Sequence, residues 1–133
     1  MLWIFRYFRR LLVPEEISTY EKILKRQARR LSNFTDCKLN QAQRTIAIDF
    51  YGYKSLKDLK EHITKGTIKQ DTINLLDFTT TPECLISLQR NWLSINEAFD
   101  AIEYLKEFDR LGLISCILNM PLDEFKNIID PKK

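Results

Sequence analysis

Three cysteines, Cys37, Cys84 and Cys116, and a single histidine, His62, are the side chains of this chain best suited to hold zinc or to pair a thiol nucleophile with an imidazole base. A three-cysteine, one-histidine set matches the donors of a structural zinc site, but such sites pair their ligands at short spacings. No C-x-x-C or H-x-x-x-H pairing occurs here, and the cysteines are odd in number, far apart and mainly in apolar company. They read as buried, reduced thiols of a cytosolic protein. His62 stands in the charged context Lys60-Glu61-His62-Ile63, which suits a solvated surface histidine better than a general base. Three scattered glycines cannot build a phosphate-cradling loop, and no two carboxylates are singled out as an acid/base pair. The sequence therefore implies a non-enzymatic protein with no catalytic residue, no metal, no cofactor and no small-molecule substrate.

What chemistry the chain does offer is charge. Net charge is +3, but residues 1–60 carry 13 Lys/Arg against 6 Asp/Glu, a balance of +7, and residues 61–133 carry 8 against 12, a balance of −4. At 100° per residue, Lys22, Lys25, Arg26, Arg29 and Arg30 fall on one arc, with few acids between them. Arg44, Lys54, Lys57 and Lys60 follow, and the nine together suit contacts to phosphates or to an acidic protein surface. A plain solvated helix face is the competing interpretation. Farther on, Asn96, Asp100, Glu103 and Glu107 fall on one helical stripe, which suits water, a basic partner or the basic face of a second copy, so a homodimer stays open.

The elements that would position these charges are helices. Forty-four per cent hydrophobic residues in 133 provide for one core without staples, and few glycines and prolines disfavour a turn-rich β fold. The expectation is an all-α, compact bundle of seven to nine short-to-medium helices in a single domain. Residues 1–13 form its amphipathic N-terminal helix, 14–66 its basic part and 67–133 its acidic part. In the first helix Ile4, Phe5, Phe8, Leu11 and Leu12 oppose Arg6, Arg9 and Arg10. Charges interrupt it too early for a membrane span, and no cleavage site follows. Trp3, Phe5 and Phe8 then serve core packing, a partner or a membrane surface.

Pro14-Glu15-Glu16 opens the second helix, about Glu15–Leu31, with Ser32–Asp36 as the turn after it. A third helix, Leu39–Tyr51, turns Ala42, Ile46 and Phe50 inward and stops at Gly52. Ser55 caps a fourth, with Asp58 at the reciprocal position, and Lys65-Gly66 ends it. This pair around Gly52 has the layout of a helix-turn-helix, although Asp58 and Glu61 on its second helix would meet phosphates. Asp71 caps a short helix through Phe78, while Thr67-Ile68 and Thr79–Thr81 remain β-compatible. Thr81-Pro82-Glu83 starts another helix. Ser94-Ile-Asn-Glu97 reads as a capping box opening a long central helix, Ser94–Leu111, closed by Gly112. Leu113–Leu118 is helix or strand, and Pro121 opens a last helix to about Ile129.

Leu24-Lys-Arg-Gln-Ala-Arg-Arg-Leu31, Leu39-Asn-Gln-Ala-Gln43, Ile46-Ala47 and Gly52-Tyr-Lys-Ser-Leu56 together resemble a short helical segment of small bacterial plasmid- and phage-borne proteins. A similar segment accompanies some glyoxalase-superfamily proteins. The resemblance covers roughly residues 22–63 and its motif is loose. It implies a bacterial mobile-element protein. No glyoxalase metal-ligand pattern is present, so no activity is implied. The sequence thus points to an intracellular, cytoplasmic interaction protein that binds an anionic partner, nucleic acid or acidic protein, through a basic helix face. A helix-turn-helix regulator and a peripheral membrane protein held by its first helix are the alternatives.

Overall fold

The computed structural model describes residues 14–129. Pro14–Thr35 forms α1, and Leu39–Arg44 forms α2, which continues directly into a π-helical segment, Thr45–Phe50. Then come α3 (Leu56–Lys65), α4 (Gln70–Leu76), α5 (Pro82–Asp100), a 3-10 turn (Glu103–Leu105), α6 (Arg110–Ile117) and α7 (Leu122–Ile129). Seven α-helices and no strand among the described residues match the all-α expectation. Thr67-Ile68 and Thr79–Thr81 are connectors, and the Leu113–Leu118 stretch is helical up to Ile117. The helix expected over residues 1–13 lies outside the described residues.

The organising helix is α1. Leu24, Gln27, Ala28 and Leu31 recur at three- and four-residue spacings and are buried, so one stripe faces inward along 22 residues. Against it pack α2, α3, α4, α6 and the π-helical segment. α1 runs through Ser32–Thr35, the expected turn. Thr35 bonds back to the Leu31 carbonyl, and the chain turns only at Asp36, which adopts a left-handed φ of 59°. Buried Gln27 ties the layers: its Nε2 donates to the Leu75 carbonyl at 3.2 Å, and the Tyr51 hydroxyl donates to its Oε1 at 2.6 Å. One apolar cluster extends from Leu24 to Phe125, joining the basic and acidic parts in a single core.

The long central helix over Ser94–Leu111 is not formed. Cys84, Leu88, Ile95 and Phe99 are all buried at one helical phase that runs straight through Ser94, so burial carries a single helix from Pro82 to Asp100. Ser94 is exposed in mid-helix, and its capping capacity goes unused. Two tight bonds, Ala101 N to the Ala98 carbonyl and Ile102 N to the Phe99 carbonyl, close the end. Gly112, expected as a stop, instead sits in the first turn of α6. There its N–H donates to Asp109 Oδ2 at 3.0 Å, which makes Asp109 the N-cap.

Other punctuation follows the sequence. Ser55 Oγ accepts from Asp58 N at 3.0 Å, and Gly52 and Gly66 take φ of 77° and 70° at helix ends. Asp58 accepts from Lys54 N at 3.1 Å, one residue before the position of a capping box. Asp71 is no cap. It lies in the first turn of α4 and accepts from Ser87, Arg90 and Asn91 on α5, fastening those two helices together.

Candidate functional site

The outer face of α1 carries the clearest charge organisation. Lys22, Lys25, Arg26 and Arg29 are exposed, on the side opposite Leu24, Ala28 and Leu31, and form no ion pair with another described residue. At 1.5 Å per residue, the arc from Lys22 to Arg29 spans about 10 Å of helix. That length suits several successive anionic groups rather than one.

Arg30 departs from the expectation. Its side chain turns off the arc and donates to two carbonyls at the end of α6, Nε to Cys116 at 2.9 Å and Nη2 to Ile117 at 2.8 Å. Cys116 Sγ returns the tie by donating to the Arg30 carbonyl at 3.4 Å. Burial lowers the Arg30 pKa from its ordinary value, opposed by Cys116 and Tyr51 and reinforced by neighbouring Arg26. The Cys116 carbonyl also accepts from Asn119 N at 3.2 Å, so the guanidinium reinforces one carbonyl of the helix end and serves the other, and it acts as a structural clamp. Four of the five α1 cations, not five, are therefore free to meet a partner.

The remaining predicted cations are dispersed. Lys54 and Lys57 are exposed and Lys60 is half-buried; Lys57 and Lys60 line a shallow groove of about 470 Å³ along α3 with Leu56, Glu61, Thr64 and Lys65. Arg44 stands at the end of α2, beside a different recess. Trp3, Phe5 and Phe8 lie outside the described residues. The two helices around Gly52 form as expected. Asp58 is occupied by the Lys54 N–H and, at 3.4 Å, by His62 Nε2, but Glu61 remains exposed on the would-be reading helix.

His62 is more engaged than a solvated surface histidine. Its Nδ1 lies 2.6 Å from Thr67 Oγ1, and its ring packs 5.3 Å from that of Tyr53. The cysteines stay apart: Cys84 bonds to the Asp77 carbonyl and Cys116 to Arg30. Among the described residues, no three His, Cys, Asp or Glu side chains gather to hold a metal. Burial raises the Cys116 thiol pKa, with Arg30 opposing. The acidic stripe breaks up with the helix that was to carry it. Asn96 and Asp100 bind Arg110, and Glu103 pairs with Lys106 at 2.9 Å on the 3-10 turn.

No protein-family model, curated protein or solved structure matches this chain. No described helix is long and apolar enough to cross a membrane.

One recess went unseen in the sequence. The π-helical segment and the 3-10 turn face each other, and Thr45 Oγ1 meets the Tyr104 hydroxyl at 2.6 Å between them. Burial pushes the Tyr104 phenol up to about 12, with the bond to Thr45 opposing, and so the hydroxyl is kept neutral. Burial likewise raises the Asp49 carboxyl, against the pull of Arg44. No periodicity announces this recess, because it joins segments more than fifty residues apart through a π-helical turn that has no hydrophobic signature. Such turns recur at functional sites.

Proposed function

We propose that this chain is a non-enzymatic interaction protein that binds an anionic macromolecule through Lys22, Lys25, Arg26 and Arg29 on the outer face of α1. One observation carries the reading. Four cations share an arc opposite the core, without an acidic partner among the described residues, on the helix against which most of the fold packs. Such a face attracts anionic partners at long range and needs no rearrangement to meet them.

Nucleic acid is the first partner to test. Phosphates supply regularly spaced negative charge, and exchanging them for condensed counterions favours a row of fixed cations. An acidic protein surface is the second. Fluorescence anisotropy with a labelled duplex, a single strand and an acidic polypeptide separates the two by salt response. Nucleic-acid binding falls linearly in log–log form with salt. Binding to the polypeptide falls more shallowly, through screening. Binding to none of these probes at low salt would refute the reading.

A further inference from the structure

We propose that the outer face of α1 lies in the major groove of double-stranded DNA, where Arg29 and Asn33 read base edges. The inference rests on the assignment of this face to an anionic macromolecule, and it names that macromolecule and the way the helix meets it.

The helical phases set the docking mode. Lys22, Arg29 and Asn33 are exposed and stand within about 40° of one another, on a crest opposite the buried Leu24 and Leu31. Lys25 and Arg26, both exposed and about 100° apart, flank that crest on its two sides. A crest between two cationic shoulders matches a groove with a phosphate strand along each rim. The sizes agree as well, since a helix with its side chains is about 10–12 Å across and the major groove is about 12 Å wide. The clamp of Arg30 to α6 leaves the crest itself uncovered.

The residue types set the kind of nucleic acid. Arginine pairs with O6 and N7 of guanine, and asparagine with N6 and N7 of adenine, through two hydrogen bonds each. Arg29 and Asn33 are four residues apart, about 6 Å along the helix, so they address bases one or two steps apart at about 3.4 Å per step. No exposed acid interrupts residues 18–33, whereas α3, the second helix of the pair around Gly52, exposes Glu61. Duplex RNA has a major groove too deep and narrow for side chains to read. An acidic polypeptide would meet the four cations and make no use of Asn33.

Selection by the full chain from DNA duplexes with a randomised centre tests the assignment. One short motif should be enriched, and it should bind at least tenfold more tightly than its scrambled duplex, its separated strands or duplex RNA. Arg29→Lys keeps the charge but loses the planar fork, and Asn33→Ala changes no charge. Each should cut the preference for the motif several-fold and leave the salt slope unchanged. Lys25→Gln and Arg26→Gln should instead weaken motif and scrambled duplex alike, each lowering the salt slope by about one. Damage to the fold would not divide the variants in this way. Enrichment of no motif, a preference untouched by Arg29→Lys and Asn33→Ala, or equal binding to single strands overturns the groove assignment while α1 remains a phosphate-binding face. Capture of the acidic polypeptide alone overturns it in favour of a protein partner. Binding to none of the probes removes both this inference and the reading on which it rests.

Discussion

Arg30 Nε lies 2.9 Å from the Cys116 carbonyl oxygen, and that contact divides the basic side of α1 into a clamp and a free surface. Both parts are cationic side chains, lysines and arginines, on neighbouring helical phases. Only the partner across 86 residues of chain separates them.

Removing the clamp should cost stability. Arg30→Gln loses two charge-assisted bonds to the end of α6; the Cys116 carbonyl keeps the Asn119 N–H at 3.2 Å, while the Ile117 carbonyl loses its guanidinium donor. The expected loss is about 1–3 kcal/mol, less where water reaches the carbonyls. Arg26→Gln and Arg29→Gln should each change stability by less than about 0.5 kcal/mol. Urea unfolding of the three variants, compared at constant slope, distinguishes them.

The Gln27–Tyr51 pair makes a second test, with a pH signature. Burial raises the Tyr51 pKa far above its ordinary value of 10.0, and the Gln27 bond opposes the rise only in part. A group whose folded pKa is raised stabilises the fold fully below its unfolded pKa and loses that contribution as pH climbs toward the folded one. Stability should therefore hold up to about pH 10 and fall beyond it. Tyr51→Phe should flatten that alkaline fall. At neutral pH it should cost about 1–3 kcal/mol, because Gln27 Oε1 is left unpaired in the core. Alkaline melting of the two proteins checks both effects.

Asp71 has the opposite sign. Burial pushes its carboxyl up, but bonds from Ser87 and Asn91, with the charge and bond of Arg90, together hold it below the usual carboxylate range. A depressed pKa stabilises the fold above the unfolded value of about 3.9 and loses that effect as pH falls through the folded value. Asp71→Asn should be less stable at pH 7 and should show a shallower loss in acid. An acid-melting curve parallel to wild type would contradict the assigned role.

The glycines discriminate between the expected and observed helix boundaries. Gly52 has φ of 77° with open space where a Cβ would stand, so Gly52→Ala should cost about 1 kcal/mol from backbone strain alone. Gly112 lies inside α6, where an added Cβ would meet the exposed Phe34 ring at 3.3 Å and Asp109 Oδ2 and Cβ at ordinary contact distances of 3.6 and 3.8 Å. Gly112→Ala gains up to about 1 kcal/mol of helix propensity against a small displacement of that ring, and should be neutral or stabilising. Equal destabilisation of both variants would restore Gly112 as a helix stop.

Local signals were the legible part of this fold. The stripe of α1, the Ser55 cap, the Gly52 and Gly66 stops and the Pro82 start all act within a few residues, and each is where the sequence places it. Ser94 and Gly112 carry equally good local signals. Burial of Ile95 and Phe99 on the phase of Cys84 and Leu88 outweighs the capping box at Ser94, and the Asp109 cap places Gly112 inside the first turn of α6. The candidate sites divide in the same way. Exposure of Lys22, Lys25, Arg26 and Arg29 follows from periodicity. The engagement of Arg30 with Cys116, and of Thr45 with Tyr104, depends on tertiary neighbours that no sequence window contains.

The central claim is the binding role of the free α1 arc, and charge reversal with the clamp left intact tests it most directly. The variant Lys22→Glu/Lys25→Glu/Arg26→Glu/Arg29→Glu retains Arg30 and touches no buried residue. It should keep its helical circular dichroism and most of its thermal stability. Against whichever anionic probe the wild type binds, its affinity should fall at least a hundredfold at low salt, since four attractions become repulsions. For nucleic acid, wild-type log K should fall with log salt at a slope of about −3 to −4 if all four cations meet phosphates. A folded variant that binds the same probe with wild-type affinity and the same salt slope would contradict the account, and α1 would present only a solvated surface.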